Sequence, residues 1–152
     1  MGAPASTKLQ SLFGAVRWLG GTMNAAWTAQ ALLVAGLAFG VCVLWRAPVR
    51  YETKAAALAA AALLATPYLY IYDFPVLAIP LAFLLRSGFA EGFLFLEWSA
   101  IAAACTLVLI FLIVAMPTGL AAAAIVAALI ARRAAAELMA PAAPAMRRAL
   151  VA

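Results

Sequence analysis

Residues 25–45 read AAWTAQALLVAGLAFGVCVLW, and no charged side chain interrupts them. At about 1.5 Å per residue this stretch makes a helix of roughly 31 Å, close to the hydrocarbon thickness of a bilayer. Trp27 and Trp45 bracket it as interfacial anchors. Gly36 and Gly40 form a GxxxG inside it, a spacing that lets another helix approach closely. Thr28 and Gln30 lie near its first end, and Gln30 is expected to hydrogen-bond across helices.

The rest of the chain has the same character. Hydrophobic residues make up 70% of it and charged residues 10%, and the mean hydropathy is +1.13. A soluble domain is about 45–50% apolar and about 25% charged, so 152 residues of this composition cannot cover a water-soluble globule. The expected fold is all-α: one multi-pass transmembrane bundle of about five membrane helices. Three parts are expected. Residues 1–23 form an interfacial amphipathic segment carrying Lys8 and Arg17 beside Leu12, Phe13, Val16, Trp18 and Leu19. Residues 24–136 form the transmembrane domain, and residues 137–152 a basic Ala/Pro-rich cytoplasmic tail. The first segment has neither the apolar core nor the cleavage site of a signal peptide. The opening Met1–Ser6 fits the myristoylation pattern only loosely, and a multi-pass chain has little use for a lipid anchor.

The net charge of +5 does not indicate nucleic acid, because the cations stand singly or in pairs between apolar runs. The sequence has no histidine. That removes a His-held metal or haem and any Ser-His or Cys-His pair within the chain. No cofactor is expected. Cys42 and Cys105 lie in apolar runs and read as small buried hydrophobes.

Beyond Trp45 the densest basic loop, Arg46, Arg50 and Lys54 with Glu52, reads as cytoplasmic. Ala55 to Leu85 is then too long for one straight span, at roughly 46 Å. Pro67 disfavours helix at Thr66, and Asp73 can cap a new helix with Pro75 in its first turn. Two short helices follow, about Tyr51–Leu69 and Phe74–Ser87, with Pro80 kinking the second. One continuous kinked helix is the alternative. Phe89, Phe93, Phe95 and Trp98 place the next loop along the membrane surface. Ser99–Met116 is a further span, Pro117-Thr118-Gly119 a turn, and Leu120 to about Ala136 the last helix. With five spans, Arg46, Arg50, Lys54, Arg86, Arg132, Arg133, Arg147 and Arg148 share one side, and only Lys8 and Arg17 the other. This positive-inside bias puts the N-terminus outside the cytoplasm, the C-terminus inside it, and Thr66–Asp73 on the extracytoplasmic face.

That segment, Thr66-Pro67-Tyr68-Leu69-Tyr70-Ile71-Tyr72-Asp73, holds the only acid between Glu52 and Glu91. Broken helices at membrane depth occur where they line a cavity or lie buried in protein. An acid among tyrosines there can bind sugar hydroxyls, place a phosphate through a cation, or accept a proton. Equally, Asp73 can be a helix cap and the tyrosines an aromatic belt. Arg17 is a phosphate contact or a snorkelling side chain.

Ser11 to Gly21, Ala29-Gln30-Ala31, Trp45-Arg46 and Ala65 to Asp73 together resemble the C-terminal third of bacterial glycosyltransferase family 87 proteins (DUF2029), over roughly residues 10–90. Thr-Pro-Tyr…Tyr-Asp is the most specific part. The resemblance implies a GT-C fold in the bacterial plasma membrane and a polyprenyl-phosphate-sugar donor at the extracytoplasmic face, in the manner of the family's mannosyltransferases. It makes Asp73, with Tyr68, Tyr70 and Tyr72, part of a substrate cavity, and Arg17 a contact for the donor phosphate. Family enzymes are several hundred residues long and carry their presumed catalytic aspartate in an early loop that has no counterpart here. The chain is therefore expected to be a truncated reading frame or to rely on a membrane partner for the remaining helices, and to be inactive alone. A small non-catalytic membrane subunit and a transporter fragment with Asp73 on an ion path are the alternatives.

Overall fold

A computed structural model describes residues 9–110 and 118–139. Six α-helices follow in order: α1 (Leu12–Trp18), α2 (Met23–Arg46), α3 (Tyr51–Ala65), α4 (Ala78–Glu91), α5 (Glu97–Ile110) and α6 (Thr118–Met139). A 3₁₀ segment, Ile71–Leu77, leads into α4. All regular structure among the described residues is helical, as composition requires. The expectations for Lys8, the last turns of the fourth span and the Arg147-Arg148 tail fall outside the described residues.

The helix boundaries have local causes. Thr22 caps α2, its hydroxyl accepting from the Ala25 N–H at 3.2 Å. Ala47 turns extended ahead of Pro48 and ends the helix. Thr66 does the same ahead of Pro67 and stops α3 at Ala65, four residues short of the expected Leu69. Residues 66–70 are not helical, so 55–85 is two segments rather than one kinked helix. Pro80 falls in the first turn of α4, where its missing N–H would have no intrahelical partner.

Among the described residues three helices are long and apolar enough to cross a membrane: Met23–Arg46, Tyr72–Glu91 and Thr118–Met139. Glu97–Ile110 is a shorter apolar helix. At about 22 Å, the 15 residues of α3 also fall short of a roughly 30 Å core. Of the five spans expected from hydropathy, three are helices of crossing length, α3 is shorter, and α5 is described only as far as Ile110. Early termination at Pro67 accounts for α3.

Alanine-rich α3 sits at the centre, packed against α2, α4, α6 and the 3₁₀ segment. Ala56 and Ala60 are buried among Leu63, Leu77, Leu84, Val126 and Ile130. Small residues let the helices approach closely, and in lipid such packing rather than the hydrophobic effect holds helices together. Phe74 of the 3₁₀ segment lies against Gly119, where any side chain would collide with its ring. By contrast, α2 lies at the edge of the bundle, with only 6% of its apolar window buried. Nothing stands within 4 Å of a Cβ built on Gly36 or Gly40, so this GxxxG is not a seam within the chain. Cys42 and Cys105 are exposed, not buried. Where lipid is the solvent, a small apolar residue has no need of the core.

Candidate functional site

Polar side chains gather at the two ends of the bundle. The first cluster forms around the break at Pro67. Because α3 stops there, the last carbonyls of the helix lose their helical partners. The Gln30 amide, projecting from α2, donates to the carbonyls of Leu64 and Ala65, both at 3.1 Å. Its Oε1 accepts the Phe13 N–H at 3.2 Å. Gln30 therefore joins α1, α2 and α3, as its expected cross-helix bonding required. The segment before α1 closes the rest of the gap. The Gln10 N–H donates to the Leu69 carbonyl at 2.8 Å, and the Gln10 Oε1 accepts the Gly119 N–H at 2.9 Å. Ser11 donates its hydroxyl to the Pro67 carbonyl and accepts from the Gly14 N–H at 3.1 Å as the cap of α1.

Asp73 lies beside this cluster. One carboxylate oxygen accepts the Tyr70 N–H at 2.9 Å, while the Asp73 N–H donates to the Tyr70 carbonyl at 3.0 Å. This reciprocal pair starts the 3₁₀ segment, so the capping role open to Asp73 is the one its geometry displays. Tyr68 packs edge-on to Phe13 and Trp27, with ring centroids at 5.7 and 6.1 Å. Tyr70 and Tyr72 are exposed, Tyr72 to 87%. Together they make an aromatic rim. Arg17 donates to the Gly21 carbonyl at 2.9 Å on the exposed surface and closes the turn after α1. Below the rim, Trp27, Gln30, Val34, Ala38, Ala65 and Pro67 border an apolar groove of about 410 Å³.

The second cluster, at the opposite end, holds every glutamate of the chain. Glu97 is fully buried and Arg133 is 4% exposed. They pair through two parallel bonds, Nε to Oε1 at 3.0 Å and Nη2 to Oε2 at 2.8 Å. Glu97 also accepts the Leu94 N–H at 2.8 Å. Arg133 reaches the Gly92 carbonyl at 3.2 Å and approaches Glu91 at 3.8 Å. Arg50 pairs with Glu91 and with Glu52. Glu137 caps α3 from α6, accepting the Arg50 N–H at 2.8 Å and the Thr53 hydroxyl at 2.5 Å. A carboxylate at a helix N-terminus is favoured by the helix dipole. Phe89, Phe93 and Trp98 form a second aromatic group here, with centroids 5.3 and 5.4 Å apart. Phe95 is also exposed.

Sequence reasoning found Asp73, the tyrosines and Gln30. It did not find Gln10, Ser11, Glu97, Arg133 or Glu137 as partners. One signal was present: the alternation of spans that collects the cations at one end also brings Glu91, Glu97 and Glu137 there. Among the described residues no three His, Cys, Asp or Glu side chains come together to hold a metal ion. Comparison with protein-family models, with curated proteins and with solved structures finds no match.

Proposed function

We propose that this chain is a multi-pass module of a bacterial plasma-membrane glycosyltransferase that uses a polyprenyl-phosphate-sugar donor, with its Pro67 end on the extracytoplasmic side and its glutamate-arginine end in the cytoplasm. The observation that carries the reading is the rim at the Pro67 break. Tyr70 and Tyr72 offer exposed hydroxyls and ring faces to a sugar, and the apolar groove bordered by Trp27 and Pro67 begins directly below, where an isoprenoid tail would lie. The resemblance over residues 10–90 and the excess of cations at the other end support the same placement. In this arrangement α3 is a short pass among the longer α2, 71–91 and α6.

In such an enzyme an aspartate takes the acceptor hydroxyl proton as the lipid phosphate leaves. That base belongs to a part of the enzyme outside this chain. Asp73, bonded to Tyr70, holds the rim in shape, and Arg17 of α1, distant in sequence, is the cation assigned to the donor phosphate. The test is donor binding, not transfer. Purified chain in detergent is titrated with a polyprenyl-phosphate mannose while Trp27 fluorescence is followed. Saturable quenching that weakens in Ala38→Leu supports the reading, and absence of quenching removes it.

A non-catalytic membrane subunit is the second reading. It is favoured by the engagement of the Asp73 carboxylate as a cap. The donor titration separates the two: the enzyme module binds the donor saturably, whereas a subunit shows no donor binding.

A further inference from the structure

Both α2 and α6 pack on α3, and the alanines of α3 leave a trough between them. The trough has a volume of about 410 Å³ and is bordered by Gly36, Gly40 and Leu44 of α2, Ala57 and Ala61 of α3, and Ala131 of α6, with almost no polar surface. We propose that it seats one acyl chain of an anionic glycerophospholipid whose phosphate is held by Arg46 and Lys54.

Size and charge lead to this occupant. Along α2 the trough runs from Gly36 to Leu44, about 12 Å, and its lining is almost wholly apolar. A single hydrocarbon chain fits. The trough opens at the glutamate-arginine end beside Arg46 and Lys54, neither of which is paired with a carboxylate among the described residues. Lys54 shares a face of α3 with Ala57 and Ala61, and its Nζ donates to the Trp45 carbonyl at 3.1 Å, which fixes the ammonium at the foot of α2. Arg46, the last residue of α2, is exposed, and no hydrogen bond or ion pair engages it among the described residues. Arg50 and Arg133 are turned to glutamates, and Arg132 donates to the Phe95 carbonyl. Basic sites between helices on the cytoplasmic side suit anionic headgroups.

The experiment is native mass spectrometry of the full chain released from detergent carrying dioleoyl phosphatidylglycerol or dioleoyl phosphatidylcholine. The anionic lipid is expected to be retained more strongly, by about fivefold for each of the two cations. Arg46→Ala with Lys54→Ala should abolish that preference. Gly36→Leu with Gly40→Leu should expel both lipids while helicity is unchanged, because open space surrounds both glycines. Equal retention of the two lipids overturns the proposal, as does unchanged retention after the glycines are filled. Stabilisation by inorganic phosphate alone, or a second copy of the chain in place of the lipid, overturns it as well.

Discussion

The two ends of this bundle solve the same problem with different chemistry. At the Pro67 end a helix breaks and exposes carbonyls, and neutral groups meet them: the Gln30 amide, the Gln10 backbone N–H and the Ser11 hydroxyl. At the opposite end, loops are tied by carboxylates and guanidinium groups: Glu97, Arg133, Glu91, Arg50 and Glu137. The difference teaches where each device can be used. An amide that loses a partner leaves one or two hydrogen bonds unmade, whereas a buried charge that loses its partner leaves an ion without solvent. At the Glu97 end each buried charge has its counter-charge within hydrogen-bond reach, and at the Pro67 break uncharged groups suffice.

Removing single partners should therefore hurt the charged end more. Arg133→Met strands Glu97 in the interior and should lower stability by about 3–5 kcal/mol, read as the midpoint of SDS-induced unfolding. Adding Glu97→Leu should restore most of the loss, and a double variant as unstable as the single would break the contrast. Gly119→Ala drives a methyl into the Phe74 ring and should cost about 1–3 kcal/mol in the same assay. Gln30→Leu leaves the Phe13 N–H and two carbonyls unmet. Because hydrogen bonds across membrane helices average only about 0.6 kcal/mol, a loss of about 1–2 kcal/mol is expected. Faster amide exchange at Phe13 would localise it, and protection equal to the parent's would show that Gln30 is not the hinge of that end. The smallest effect belongs to Asp73→Asn. It keeps an acceptor for the Tyr70 N–H and should shift stability by about 0.5 kcal/mol or less.

Much of this arrangement was legible in the sequence, for reasons that differ from residue to residue. An uncharged run of 21 residues ending at tryptophans can be little other than a membrane helix, and Pro67 announces a break whatever surrounds it. Asp73 three residues after Tyr70 is a local capping pattern. The Glu97–Arg133 pair was hidden because its members lie on different helices, 36 residues apart, and nothing local says that they meet. The glycines at 36 and 40 show the converse limit. Their spacing names a face but not its neighbour, and the neighbour within the chain is open space. The rim was visible as composition, yet its tyrosines do not converge on Asp73: Tyr68 turns to Phe13 and Trp27, an arrangement set by how α1 docks.

From Gly119, bonded to Gln10, to Arg133, bonded to Glu97, α6 climbs only about 21 Å. The α2 helix alongside is about 36 Å long. A sheet of lipid roughly 30 Å deep does not match both. Near α6 a bilayer is then expected to thin or to let headgroups approach the arginine, while α2 has length to spare and can tilt. Such a lopsided fit favours thin membranes and draws in neighbours that share the deformation.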